Sequence, residues 1–324
     1  MNNDRPLYGI ALMIGFALIA PGMDALAKLA GQAIPVGETL AFRFGIQSLL
    51  LLPLGLMLGV LSWPTANAAK WHVIRAALVL IATGCFFTAL RFMPIADAIA
   101  IFFVEPFIVA LMGAAFLGEG LGWRRITACA IGFAGALVVI RPSFVELGPV
   151  ALFPLGTALT FALYIILNRR TAKHLHPVAV QAWTALAAVA LILPILLYFQ
   201  GSGVAAFDPV MPEGRYWFYL IGVGITASVT HLMLTGALRN APAGTVAPLQ
   251  YLEIIAATAF GYWIFADFPD TQTFVGIAII VSSGLFVIWR EHKATERPSS
   301  WENTENPTQS NPEMPATTRR LTKT

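Results

Sequence analysis

The sequence predicts an all-α polytopic membrane protein with ten transmembrane helices arranged as two inverted five-helix repeats, and three observations lead there. The 324 residues are 57% hydrophobic and 11% charged, with a mean hydropathy of +0.73, more apolar surface than one water-soluble core buries. Apolar stretches of roughly 18 to 25 residues recur, each enough to cross ~30 Å of hydrocarbon at ~1.5 Å per residue. The chain also repeats itself. Ala89, Leu90, Arg91, Pro94, Glu105, Gly113 and Glu119 are matched by Ala237, Leu238, Arg239, Pro242, Glu253, Gly261 and Asp267, each 148 positions further on.

The first span, 7–28, is interrupted only by Asp24 and Lys28. It exceeds a signal-peptide core of roughly 7 to 15 residues, so it is read as a retained helix. The second, 36–61, contains the run 48–60, apolar on every face; strands of a membrane barrel alternate apolar and polar residues, so helices are the expected spanning structure. The third is 71–92 and the fourth, 94–117, carries Glu105. The fifth is 123–140, and the second half follows with 149–168, 177–200, 216–238, 242–265 with Glu253, and 272–289. Cys85 and Cys129 fall inside spans without CxxC spacing and read as small apolar fillers. Pro53, Pro106, Pro154, Pro194 and Pro248 remove backbone donors within spans and permit kinks or hinges. Gly55 and Gly59 form a GxxxG, read as a close internal helix contact with a dimer face as the alternative.

A cytoplasmic N-terminus and ten crossings put Arg5, Lys70, Arg75, Arg124, Arg125, Arg169, Arg170, Lys173, Arg239, Arg290, Lys293 and Arg297 inside. Only Lys28, Arg91, Arg141 and Arg215 fall outside or at outer helix ends, the expected positive-inside bias. Both termini are therefore expected in the cytoplasm. The repeat unit is five helices, and an odd number places the copies in opposite orientations, the organisation of many secondary transporters. The expected units are 1–144 and 145–290, followed by a polar tail, 291–324, rich in Ser, Thr, Asn, Glu and Pro and expected to be disordered.

The layout, with Asp24-Ala25-Leu26-Ala27-Lys28 ending the first helix, Arg43-Phe44 in the second, Ala89 to Asp97 between the third and fourth, and Leu117-Gly118-Glu119 closing the fourth, resembles the drug/metabolite transporter superfamily, and within it the EamA branch. The resemblance covers about 7–290 and implies a bacterial inner-membrane carrier, commonly an exporter of amino acids or other small metabolites, with a central cavity between the halves.

Glu105 and Glu253 each lie about eleven positions into a span, roughly 16 Å deep, where an ionisable group is costly and usually functional. A carboxyl there suits a proton carrier or a partner for a cationic group; the alternative is a hydrogen bond between packed helices. Arg43, roughly 10 Å into the second helix, offers a guanidinium fork to a carboxylate or phosphate, or to Asp24 or a glutamate. Asp24 and Lys28 are four apart, and a local pair is the structural alternative for Asp24. Asp97, early in the fourth helix, reads as a helix-dipole partner. Tyr164, Asn168, Gln181, Trp183, His231, Gln250 and Tyr251 supply softer polar and aromatic groups for a part-apolar solute, with core or lipid packing as the alternative.

No HExxH, GxSxG or P-loop is present and the histidines are scattered, so an enzyme is not expected. No continuous polar stripe suggests a channel. No cofactor, metal or nucleic-acid partner is expected. The partners are the lipid bilayer and a small-molecule substrate, with proton coupling, in a monomer or homodimer. The expected function is secondary active transport of an amino acid or related polar or amphipathic metabolite, outward; the alternative is uptake of a vitamin or nucleotide-like nutrient.

Overall fold

The structure, a computed structural model, describes residues 6–117, 123–171, 175–240 and 247–295. Among them the backbone is helical without strands. The helices are α1 (Pro6–Ala30), α2 (Val36–Met57), α3 (Ala66–Leu90), α4 (Ile95–Phe102), α5 (Glu105–Leu117), α6 (Trp123–Leu147), α7 (Phe153–Thr171), α8 (Pro177–Phe199), α9 (Arg215–Asn240), α10 (Leu252–Phe265) and α11 (Thr271–Thr295). Short 3-10 turns, Gly148–Leu152 and Ala247–Tyr251, precede α7 and α10. Six of these segments are long and apolar enough to cross a bilayer: Leu7–Ala30, Val36–Met57, Ala66–Leu90, Gly148–Asn168, Pro177–Phe199 and Arg215–Ala237. Shorter apolar stretches lie in α6, before and through α10, and in α11.

The predicted span 94–117 is not one helix. Pro106 has no N–H to give the Phe102 carbonyl, and its ring crowds that carbonyl. Accordingly α4 stops at Phe102, the Val104 N–H turns back to the Ile101 carbonyl at 3.2 Å, and α5 restarts at Glu105. In the other half Pro248 falls within the 3-10 turn Ala247–Tyr251, and α10 starts only at Leu252. Both glutamates therefore stand in the first turn of a half-length helix rather than in the middle of a continuous one. Pro242, Glu119 and Lys173 lie outside the described residues, as does the tail beyond Thr295; its first part, 291–295, is the end of α11.

The GxxxG splits its roles. Gly55 packs inside, where a Cβ would lie 3.5 Å from Val178 Cγ1. Gly59 has φ of +64° and open space around it. With the Val60 N–H bonded to the Gly55 carbonyl at 3.1 Å and the Gly59 N–H to Leu56 at 3.0 Å, it is the left-handed residue of a Schellman stop for α2. Thr65 caps α3 by accepting the Ala68 N–H, His176 Nδ1 caps α8 through Val178, and Asp270 caps α11 through Thr273.

Close neighbours join one half of the chain to the other. α1 lies along α9, α2 along α8 and α9, α3 along α7 and α8, α4 against α10, and α6 along α11. The α6–α11 crossing needs glycine: a Cβ on Gly276 would fall 2.9 Å from the Gly135 carbonyl oxygen, a close backbone approach typical of membrane helices.

Burial departs from that of a water-soluble protein at both the surface and the core. Leu49, Met57, Tyr198, Trp263 and Ile255 are exposed, while Asp24, Arg43, Gln47, His72, Arg75, Glu105, Gln181 and Glu253 are buried. Large apolar side chains facing outward, with charged side chains buried among the helices, mark a membrane protein. Arg75, counted by the sequence among the cations on the cytoplasmic side, is one of the largest fully buried side chains, 1% exposed. The reason is the helix start: α3 begins at Ala66, five residues before the expected Trp71, so Arg75 sits roughly 14 Å inside the helix.

Candidate functional site

Two groups of buried polar side chains meet at the centre. On α2, Arg43 and Gln47 are one turn apart and share a face. The Arg43 guanidinium contacts Nε2 of His231 on α9 and lies 4.1 Å from the Phe44 ring centroid. Gln47 donates to the Gln181 side-chain oxygen on α8 at 3.3 Å. Gln181 donates to the Tyr164 hydroxyl on α7 at 3.2 Å and to Thr235 Oγ1 on α9 at 3.4 Å. Thr235 closes the ring by donating to the His231 carbonyl at 2.7 Å. Four helices from both halves are tied by one network, in a region where an unmade hydrogen bond is costly.

The second group is acidic and sits at the helix breaks. Glu105 opens α5 and Glu253 is the second residue of α10, 5% and 7% exposed. First-turn backbone N–H groups lack helical partners and carry partial positive charge, a setting that favours a carboxylate or another anion. The breaks themselves touch, since the Phe103 ring meets the Tyr251 ring edge-on at 5.3 Å. Asp24 of α1 is within electrostatic reach of both Glu253 and Arg43, and Glu105 of Glu253 and Tyr251. Asp24 Oδ1 and Arg43 Nε and Nη1 are buried without a protein hydrogen-bond partner.

The structure thus brings together Asp24, Arg43, Tyr164, His231, Tyr251, Glu105 and Glu253. Gln250 is half-buried beside Tyr251 on the 3-10 turn. Trp183 is elsewhere: its ring packs on Trp63 at 5.4 Å near the start of α8. The expected Asp24–Lys28 pair does not form. Lys28 instead bonds Asp267 Oδ2 at 2.8 Å and the Met93 carbonyl at 3.0 Å, and its amine lies over the Phe265 ring. Tertiary partners at and just beyond the end of α10 and after α3 outcompete an i,i+4 neighbour, which leaves Asp24 facing the centre. Asp97 is in the first turn of α4, as expected.

Sequence reasoning did not single out the buried polar side chains of Gln47, His72 and Arg75. Gln47 follows Arg43 by one turn, a signal that was readable; His72 and Arg75 were hidden by the misplaced start of α3.

A helical bundle with an apolar exterior and charged groups converging on paired helix breaks has the build of a solute transporter. The chain belongs to the EamA-like transporter family, whose model matches it twice, over residues 7–141 and 148–289. It is similar to an S-adenosylmethionine uptake transporter of Rickettsia felis, 25% identical over 92% of this chain and 98% of the relative. A riboflavin transporter of Vibrio cholerae is 26% identical over 90% and 97%, and a pseudopaline exporter of Pseudomonas aeruginosa 25% over 84% and 93%. A solved crystal structure, 22% identical and covering 88% of this chain and 98% of its own, shares the fold with a TM-score of 0.61. The protein is a transporter of a small molecule rather than an enzyme.

Proposed function

We propose that this protein is a secondary active carrier of the inner membrane, crossing it ten times with both termini cytoplasmic, and that residues 1–144 and 145–290 are inverted repeats working by alternating access. The observation that carries the reading is the pair of glutamates at touching helix breaks, opposite the incompletely bonded Arg43. Discontinuous helices at the repeat interface are where such carriers hold solutes and coupling ions. Helix pairing supports the duplication. Counting α4–α5 as the fourth span and the 3-10 turn with α10 as the ninth, exchanging each span with the one five places on turns the pairs α1–α9 and α3–α7 into each other and returns α2–α8, α4–α10 and α6–α11 to themselves.

The solute is a small polar or amphipathic metabolite, its charged groups met by Arg43 on one side and by Asp24, Glu105 and Glu253 on the other. Crowded carboxyls cannot all stay ionised in a low dielectric, so proton exchange accompanies transport. Export is the direction read from the sequence, and the similarity to a pseudopaline exporter agrees with it. Uptake is the second reading, favoured by similarity to S-adenosylmethionine uptake transporters. Alternating access serves either, and the driving gradient sets the sign.

Counterflow of labelled S-adenosylmethionine, riboflavin and amino acids in proteoliposomes tests the carrier. Preloaded solute should accelerate exchange of its labelled form. Leakage without trans-stimulation would point to a channel, and no flux across the panel would defeat the reading. Glu105→Gln and Glu253→Gln should each flatten the pH dependence of flux with insertion unchanged; unaltered profiles in both variants remove proton coupling through these acids.

A further inference from the structure

Among the described residues, no carboxylate pairs with Arg75. It is 1% exposed on α3, its Nε donates to the Trp71 carbonyl at 3.1 Å, and its Nη1 is buried without a protein hydrogen-bond partner. His72, one turn earlier on the same face, is 4% exposed, and its Nδ1 is likewise unpartnered. The helices packed most closely on α3 are α7 and α8, which contain no Asp or Glu. On α2 the one acid is Glu38, whose Oε2 accepts the Val210 N–H at 2.9 Å at the far end. The lighter neighbours α1 and α4 bring Asp24 and Asp97. Asp24 lies roughly 9 Å from the end of α1 that adjoins the end of α3, whereas Arg75 lies roughly 22 Å from that end, so the two are well apart in depth. Asp97 follows the same end of α3.

A buried guanidinium without a counter-ion is costly on general grounds, which calls for a role that packing alone does not supply. The surroundings suit an anion. Tyr164 reaches both Arg75 and Arg43 electrostatically, and its hydroxyl belongs to the Gln181 network, so one polar strip links the two arginines.

We propose that Arg75 and His72 form a second station, apart from Arg43, for an anionic group, carboxylate or phosphate, of the solute this carrier moves. The guanidinium supplies the charge and donor, and the imidazole orients the bound oxygen. The station rests on the carrier reading and adds to it a substrate class: solutes bearing an acidic group.

Thermal unfolding of the full-length protein in detergent tests it, with sodium phosphate and sodium acetate as probes against sodium chloride at equal ionic strength. The wild type should gain stability saturably. Arg75→Met should melt no lower than wild type in chloride, because methionine fills the site without a buried charge, and should weaken apparent phosphate binding at least tenfold. Arg75→Lys keeps the charge without the fork and should weaken it less, which serves if the methionine variant does not fold. Phosphate binding as tight as wild type in both variants, or no saturable response in the wild type, overturns the station. Wild-type counterflow is read separately: flux with unchanged anion binding in the variants removes the station and leaves the carrier standing.

Discussion

Arg43 joins two kinds of interaction that a lysine cannot reproduce together. Its guanidinium stacks on Phe44 and contacts His231 while leaving two nitrogens for other partners. A lysine at this position keeps charge but loses the planar fork. Arg43→Lys should therefore lower flux at least tenfold in the counterflow assay with expression unchanged; near-normal flux would show that charge alone suffices. Gln181 is the hub of the neighbouring network, and Gln181→Leu strands the Tyr164 hydroxyl and the Gln47 amide, while Thr235 keeps its bond to the His231 carbonyl. Leaving buried polar groups unsatisfied costs about 1–3 kcal/mol, which should appear as a fall of several degrees in the unfolding midpoint.

At the scale of elements, the break before α5 is set by local sequence. Pro106 denies the Phe102 carbonyl its donor, and the gap leaves Glu105 at a helix start. Pro106→Ala restores the N–H and permits a continuous α4–α5, which moves Glu105 away from a positive helix end into a helix interior. Insertion and thermal stability should hold while flux falls at least tenfold, and unchanged flux would mean the break is incidental. The α6–α11 crossing makes a different demand. Gly276→Ala drives a methyl against the Gly135 carbonyl oxygen at 2.9 Å and the Val139 backbone nitrogen at 3.3 Å. Backbone cannot rotate aside, so overpacking of about 1–3 kcal/mol is expected, read as a lower unfolding midpoint.

At the scale of the whole molecule, Lys28 and Asp267 tie the first half to the second at one end, reinforced by the Met93 carbonyl and the Phe265 ring. The link at this end must part if the halves rock. Replacing both residues with cysteine and oxidising them should arrest counterflow, and reduction should restore it. Flux that continues through the crosslink would exclude movement at this end.

Hydropathy and spacing were enough to reveal the membrane location, the helical class and the matched glutamates, because each is a property of neighbouring residues or of a fixed offset along the chain; the family was legible through the resemblance of its motifs and their order. Pro106 announced a kink for the same reason, though not that it would stop the helix outright. The partner of Lys28, the inward turn of Asp24, the Gln47–Gln181–Tyr164 network and the burial of Arg75 were not legible. They depend on which helix faces meet across the two halves, and in lipid those faces are chosen by packing and hydrogen bonding between distant segments, which no local pattern encodes.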